Sequence, residues 1–158
     1  MKSIFLIRHS YTEYSYDKND IDRSLTTEGY NRINDQCKIL NIKSEKIDLI
    51  ISSTALRAQQ TAIKLKSELS INTDIKFIDW LYKSYTTQDL LELFQSIPKG
   101  YRNVIIVAHN PTISYMATNF NYNRNYIFNP CSVLKLDFEI DKWEMLNIRS
   151  GKESYYLD

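Results

Sequence analysis

The chain alternates short apolar runs with longer segments of helical periodicity, and this alternation limits the folds that it can adopt. Residues 3–7, 47–51, 75–78 and 104–108 are largely apolar and of strand length. Such runs are typical of strands covered on both faces, as in parallel sheets. We therefore expect an α/β fold, a three-layer sandwich in which helices flank a mostly parallel central sheet.

The segments between these runs carry apolar residues at helical spacing. We predict helices in three of them, over residues 26–40, 55–69 and 89–97. Thr26 is suited to cap the first of these helices. A further short helix is expected after the last apolar run, with Asn110 as its N-cap and Pro111 as its first residue.

The remaining segments predict a hairpin and two polar loops. Residues 133–140 and 143–148 alternate in polarity and flank Asp141-Lys142, a pattern that predicts a C-terminal antiparallel hairpin. Residues 10–24 form a polar loop. The Asn- and Tyr-rich segment 121–129 either borders the functional site or is a plain connector.

Length and composition restrict the class of protein. A chain of 158 residues fits a single domain spanning residues 1–158. A net charge of +1 gives no reason to expect a nucleic-acid partner, and no apolar run approaches the length of a membrane span. Two cysteines, Cys37 and Cys131, are too few for a disulfide scaffold. We expect reduced thiols and a cytoplasmic protein.

Histidine and arginine side chains follow the predicted parallel strands where ligands of such sheets bind. The first strand runs into Arg8-His9-Ser10, and the fourth into His109-Asn110; these are the only two histidines of the chain. Arg57 lies one turn into the helix after the second strand, where a cation opposes the helix dipole unless an anion lies near it. Two guanidinium groups and two imidazoles at one rim predict a phosphate site.

Other chemistries fit the sequence less well. A zinc site requires three or four ligands, and cations flank the histidines here, so we expect no metal. The three glycines are isolated, which excludes a Walker loop and a dinucleotide fingerprint. Neither cysteine is followed six residues later by arginine, since Lys43 and Asp137 hold those positions. Asp20-Ile21-Asp22 does not follow an apolar strand, and we predict a solvated loop there.

Taken together, the motifs resemble those of one enzyme family. Four segments carry the resemblance, in this order: Arg8-His9-Ser10, Leu25-Thr26-Thr27-Glu28-Gly29, the stretch SSTALRAQQTA over residues 52–62, and Ala108-His109-Asn110-Pro111. They are similar to the motifs of the histidine phosphatase superfamily, which has the phosphoglycerate-mutase-like fold. The short chain most resembles the compact SixA-type phosphohistidine phosphatases.

The resemblance implies a role for each matching residue. His9 matches the nucleophile that accepts the phosphoryl group, and Arg8, Arg57 and His109 match the pocket that holds its oxygens. Ser10 stands where the family commonly has glycine, and we count Ser10 and Asn110 among the substrate-binding candidates. The implied activity needs no cofactor, and the implied partner is a phosphorylated protein or a small phosphate ester.

One departure from the family concerns the general acid. Many members carry an acidic residue after the third strand, and the corresponding position here holds Lys83. Asp79 is the candidate replacement, with Asp89 as a second; both are also explained as solvated or capping residues. Without an acid, an alkyl phosphate should react about 10²–10⁴-fold more slowly, whereas a phosphoramidate depends less on that help. This favours protein phosphohistidine as the substrate.

A second function class stays open on the sequence alone. The leading hypothesis is a cofactor-independent phosphatase that forms a phosphohistidine on His9. The alternative is a non-catalytic phosphate-binding or interaction module that keeps the pocket and lacks the general acid. Lys83 favours the alternative, and the complete set of two histidines and two arginines favours the enzyme. The sequence does not determine an oligomeric state.

Overall fold

A computed structural model describes residues 1–14, 16–40, 45–83, 85–121 and 125–158. Its helices and strands alternate as the apolar pattern predicts. In chain order they are β1 (Lys2–Arg8), α1 (Thr27–Ile39), β2 (Leu49–Ser53), α2 (Leu56–Glu68), β3 (Ile75–Ile78), α3 (Thr87–Gln95), β4 (Asn103–Ala108), α4 (Thr112–Phe120), β5 (Val133–Phe138) and β6 (Lys152–Leu157).

The strands form a six-stranded sheet in the order β3-β2-β4-β1-β5-β6. The first four of these are mutually parallel, whereas β5 pairs antiparallel with β1 and β6 pairs antiparallel with β5. The order places the carboxyl ends of β2, β4 and β1 side by side. A mostly parallel α/β sheet is therefore confirmed, and it assembles the rim that carries the predicted site.

Helices cover both faces of the sheet, so that the predicted three layers are present. In β1, Ile4 and Leu6 contribute to the apolar cluster that contains α3 and α4. The alternate residues Phe5 and Ile7 contribute to the opposite cluster, which contains α1 and α2. Successive side chains of a strand point to opposite faces, so a continuous apolar run buries its residues in two separate cores.

The predicted C-terminal hairpin is wrong in its second strand. Residues 143–145 form a short 3-10 turn, and the strand that pairs with β5 is β6, Lys152–Leu157. The physical reason is Trp143, which is fully buried, stacks on Phe94 and donates its indole N–H to the Tyr101 carbonyl at 2.9 Å. Burial of this large ring determines the local structure more strongly than the alternation of polarity does.

Two helix starts also differ from the prediction. Helix α4 begins at Thr112 with Pro111 at the N-cap position, and the Asn110 side chain does not cap it. Helix α3 begins two residues early, because Thr86 and Asp89 form a reciprocal capping box. The prediction for α1 is confirmed, since the Thr26 side chain accepts a hydrogen bond from the Gly29 N–H at 3.0 Å.

Gly29 allows the loop after β1 to pack against helix α1. A Cβ atom at this position would lie 2.3 Å from the Tyr11 carbonyl oxygen. The Thr26 N–H donates to the same carbonyl at 3.1 Å, which fixes the loop against the helix start. This packing holds the backbone that leads from β1 into the polar loop.

No helix within the described ranges is both long and apolar enough to cross a membrane. The two cysteines, Cys37 and Cys131, are free and buried.

Candidate active site

The topology brings the predicted residues to one edge of the sheet. His9 directly follows β1, and its N–H continues the ladder by donating to the Ala108 carbonyl at 2.9 Å. His109 directly follows β4, so the two imidazole rings are neighbours with centroids 5.1 Å apart. Residues that are 100 positions apart in sequence are thus adjacent because β1 and β4 are parallel and in contact.

His9 is buried, and its hydrogen bonds define which ring nitrogen carries the lone pair. The ring atom Nδ1 lies 2.7 Å from the Ser10 carbonyl oxygen, and Arg57 donates its Nε–H to Nε2 at 3.3 Å. Because both partners have fixed roles, Nδ1 carries the proton and Nε2 carries the lone pair. Burial, aided by the positive charges of Arg57 and Arg8, lowers the pKa of His9 to about 4. The ring is therefore neutral at pH 7.

Arg57 is the second residue of helix α2, and its side chain is only 8% exposed. Its outer nitrogens point away from His9: Nη2 donates to a carboxylate oxygen of Asp20 at 2.8 Å, and Nη1 donates to the Asp20 carbonyl. A cation in the first turn opposes the helix dipole. In this structure the anion that offsets it is Asp20.

His109 is held by Ser53 at the end of β2. Its Nε2 lies 2.7 Å from the Ser53 hydroxyl oxygen, and the Ala55 N–H donates to that same oxygen at 3.3 Å. Nδ1 of His109 is buried and has no hydrogen-bond partner within the described part of the chain. Burial, with the nearby His9 and Arg57, lowers the pKa of His109 to about 3.

Arg8 is the last residue of β1, directly before His9, and its side chain is anchored by the loop before β5. Its Nη1 donates to the Phe128 carbonyl at 2.7 Å, while its buried Nε has no partner among the described residues. The segment 121–129 thus borders the site through Phe128, although residues 122–124 of that segment lie outside the described ranges. An unpartnered buried N–H is a donor available to an anionic ligand.

Ser10 and Asn110 are placed near the site but are already engaged by the protein. Ser10 is fully buried, and its hydroxyl donates to the Gly29 carbonyl at 2.8 Å. The Asn110 amide donates to the Phe128 carbonyl at 3.1 Å and accepts a bond from the Ser114 hydroxyl at 2.9 Å. Of the two, Asn110 lines the cavity described next.

A cavity of about 720 Å³ opens beside the two histidines. It is lined by one acidic, two basic and several aromatic and polar residues: Asp20, Arg57, Tyr82, Lys83, Tyr85, His109, Asn110, Pro111, Thr112 and Tyr115. His9 does not line it but contacts two residues that do, Arg57 and His109.

The acidic residues proposed from sequence are not in this cavity. Asp79 starts the 3-10 turn Asp79–Leu81 and is exposed, and it is not among the lining residues. Asp89 belongs to the capping box of α3. Lys83 does line the cavity, so that a cation is present where the sequence resemblance led us to look for an acid.

Asp20 is the site residue that sequence reasoning missed. Its carboxylate accepts from Arg57, from the Tyr82 hydroxyl at 2.9 Å and from Arg23 at 2.9 Å. Although it is partly exposed, these donors hold its pKa at about 2. The segment is exposed at Asp20 and Asp22, as the predicted solvated loop requires, but it forms a 3-10 turn, Asp20–Asp22, whose Asp20 side chain contacts Arg57. The sequence did contain one signal, the unfavourable position of Arg57 on the helix dipole.

Comparison with known proteins assigns the family. A family model described as the histidine phosphatase superfamily, branch 1, matches residues 4–103. The chain belongs to this superfamily. It is thereby placed among the histidine-type phosphatases, and the matched residues include His9, Arg8 and Arg57. No curated protein is significantly similar to the chain in sequence.

Solved structures of histidine phosphatases share the fold along almost the entire chain. The protein histidine phosphatase SixA complexed with tungstate superposes with a TM-score of 0.84 at 18% identity, covering 98% of this chain and 96% of that one. SixA from Agrobacterium tumefaciens gives 0.80 at 21% identity, with 99% and 97% covered. A mycobacterial glucosyl-3-phosphoglycerate phosphatase gives 0.71 at 14% identity, with 97% of each chain covered. The fold is the phosphoglycerate-mutase-like fold.

Proposed function

We propose that this protein is a cofactor-independent phosphatase that works through a phosphohistidine on His9. The observation that carries the proposal is the state of the His9 ring. Its Nδ1–H is bonded to the Ser10 carbonyl, its Nε2 lone pair faces Arg57, and burial keeps the ring neutral. A neutral imidazole with an oriented lone pair is a competent nucleophile at pH 7.

In the first step, the Nε2 lone pair of His9 attacks the substrate phosphorus. A P–N bond forms to His9, and the bond from phosphorus to the leaving group breaks with its electron pair going to the leaving atom. In the second step, water attacks the same phosphorus, the P–N bond breaks with its electron pair returning to Nε2, and inorganic phosphate leaves. Each step is a displacement in which the phosphoryl group needs positioning and charge stabilisation.

Arg8, Arg57 and His109 are proposed to stabilise the phosphoryl oxygens. The guanidinium of Arg57 contacts His9, and the buried Nε–H of Arg8 has no partner among the described residues; preorganised donors of this kind are effective in a buried site. His109 contributes its unpartnered Nδ1, with Nε2 held by Ser53. Ser10 and Asn110 act by fixing the loops that carry these donors.

We infer that the substrate has a good leaving group, and that protein phosphohistidine fits best. Among the residues that the structure describes, the cavity lining contains Lys83 and one carboxylate, that of Asp20, which is ionised and hydrogen-bonded to Arg57. Such a site gives an alkyl leaving group little help with its proton. Two structural neighbours support this substrate class: one is the protein histidine phosphatase SixA, and the other is the phosphohistidine phosphatase SixA from Agrobacterium tumefaciens. The reaction needs no cofactor, and a reduced, cytoplasmic setting fits the two free thiols.

The alternative is a phosphate-binding module without turnover, which Lys83 and the engagement of Arg57 by Asp20 favour. Hydrolysis of a phosphohistidine peptide and of an aryl phosphate, measured without added metal for wild type and His9→Ala, decides between them. We expect wild type to hydrolyse both and His9→Ala to hydrolyse neither. If wild type binds tungstate but hydrolyses neither substrate, the binding module is correct.

A further inference from the structure

The guanidinium of Arg57 is engaged on both sides in this structure. On one side its Nε–H donates to Nε2 of His9, the atom proposed to attack phosphorus. On the other side Nη1 and Nη2 donate to the carbonyl and the carboxylate of Asp20. The atoms Nε and Nη2 form the fork with which arginine binds carboxylates and phosphates in a bidentate manner. Asp20 therefore occupies part of the fork that a phosphoryl group requires.

We propose that Asp20 is a resident counter-anion of Arg57, which the phosphoryl oxygens of substrate displace and which lowers the affinity of the site for phosphate. This inference rests on the proposed function, because it assumes that Arg57 binds the phosphoryl group. Asp20 holds Arg57 against the His9 lone pair until an anion arrives. After the phosphoryl group has left the site as inorganic phosphate, Asp20 returns to Arg57 and disfavours rebinding of that product.

The surroundings of Asp20 allow Arg57 to exchange Asp20 for a phosphoryl group without leaving the Asp20 carboxylate unpaired. When Arg57 turns to a phosphoryl oxygen, the Asp20 carboxylate keeps two donors, the Tyr82 hydroxyl and Nη1 of Arg23, each at 2.9 Å. Arg23 is itself fixed by the Glu13 carbonyl and the Thr12 hydroxyl. The side chain of Asp20 is 51% exposed, so water also solvates it after the exchange. The Asp20 carboxylate therefore has hydrogen-bond donors both when Arg57 contacts it and when Arg57 has turned to the phosphoryl group.

A simple structural role for Asp20 makes the opposite prediction. If Asp20 only orients Arg57 for binding, its removal weakens anion binding; if it competes with phosphate, its removal strengthens anion binding. Asp22 offers a matched control, since it lies in the same 3-10 turn, is exposed and contacts Asn19 rather than Arg57. Asp20→Asn and Asp22→Asn change the net charge equally. The difference in anion affinity between the two variants therefore measures the effect of the contact between Asp20 and Arg57.

The test is direct binding of tungstate and of inorganic phosphate, by calorimetry, to wild type, Asp20→Asn, Asp22→Asn and Arg57→Gln. We expect Asp20→Asn to bind both anions about tenfold more tightly than Asp22→Asn, the effect of removing one competing charge-assisted hydrogen bond. Equal or weaker binding by Asp20→Asn overturns the inference. If Arg57→Gln binds both anions as tightly as wild type, Arg57 does not bind the phosphoryl group. That result overturns the proposed role of Arg57 in the phosphatase, and not only the role of Asp20. Asp20→Ser, checked by thermal unfolding, should shift binding in the same direction as Asp20→Asn.

Discussion

The Nε–H of Arg57 donates to Nε2 of His9 across 3.3 Å, although 48 positions separate the two residues in sequence. This contact fixes the tautomer of the histidine and places a permanent positive charge beside the nucleophilic atom. It adds to burial, which is the main cause of the lowered pKa of His9, and it offers a positive charge to offset that of a transferred phosphoryl group.

Arg57 should not be replaceable by lysine. A lysine has no planar fork and cannot contact His9 and a phosphoryl oxygen at the same time. We expect Arg57→Lys to lower kcat/KM for an aryl phosphate by about 10²-fold, the usual effect of losing a preorganised donor. Lys64→Gln, on the same helix but paired with Glu68 at the surface, is the control and should leave kcat/KM unchanged. Comparable rates for Arg57→Lys and wild type would disprove this role.

Neither histidine should titrate near neutral pH. Burial lowers the pKa of His9 to about 4 and that of His109 to about 3, against about 6.5 for a free histidine. With only two histidines in the chain, ring resonances followed by NMR from pH 8 downward give two readable curves, and His109→Gln assigns them. We expect no midpoint between pH 8 and 5. A midpoint near 6.5 for His9 would contradict the buried, neutral nucleophile.

Stability should depend on pH for the same reason. Both histidines have a lower pKa in the folded protein than in the unfolded chain, so the unfolded chain binds protons first as the pH falls. The free energy of unfolding should therefore decrease from about pH 6.5 towards pH 4. Urea unfolding at a series of pH values measures this slope, and His109→Gln should reduce it. A stability that is constant over this range would argue against both shifts.

The charge of residue 83 should control the choice of leaving group. We expect wild type to hydrolyse phosphohistidine or an aryl phosphate about 10²–10⁴-fold faster than an alkyl phosphate, since no positioned acid assists the alkoxide. Lys83→Glu should narrow this ratio by raising the rate on the alkyl ester. Lys142→Glu, at an exposed position outside the cavity lining, controls for the change in net charge. An unaltered ratio in Lys83→Glu would show that residue 83 does not face the leaving group.

Gly29 should be required for stability, whereas Gly100 should not. A methyl group at residue 29 would meet the Tyr11 carbonyl at 2.3 Å, and nothing lies within 4 Å of the same position at residue 100. Relieving that clash must shift the loop after His9, and we expect Gly29→Ala to cost about 1–3 kcal/mol. Chemical denaturation of both alanine variants tests this. Equal stability of the two would show that the loop adapts without strain.

The sequence predicted the parts of this protein that depend on local pattern. Apolar runs located β1 to β4, because a strand buried on both faces leaves an unbroken signal. His9, Arg57 and His109 lie together because the ends of adjacent parallel strands meet at one rim, whereas the catalytic roles of these residues and of Arg8 stay predictions. The strand β6 was missed because Lys152–Leu157 is largely polar, and Trp143 is held by tertiary contacts that no local pattern reveals.

The pairing of Asp20 with Arg57 could not be read from the sequence for a different reason. It depends on how the polar loop after His9 folds back, and that path is fixed by long-range hydrogen bonds such as the one from Tyr82. The position of Arg57 in the first turn of α2 predicts a nearby anion, but it does not show whether that anion is a ligand or a residue of the chain. Charge complementarity predicts that a partner exists, and only the fold identifies it.

The proposed mechanism requires that His9 becomes phosphorylated during turnover. It is tested most directly by mixing wild type with a phosphorylated substrate, quenching in alkali within the first turnovers, and locating the phosphoryl group by mass spectrometry and ³¹P NMR. We predict an alkali-stable, acid-labile phosphoramidate on residue 9, which is absent in His9→Ala. Turnover by wild type without that adduct, or turnover retained by His9→Ala, would contradict the account.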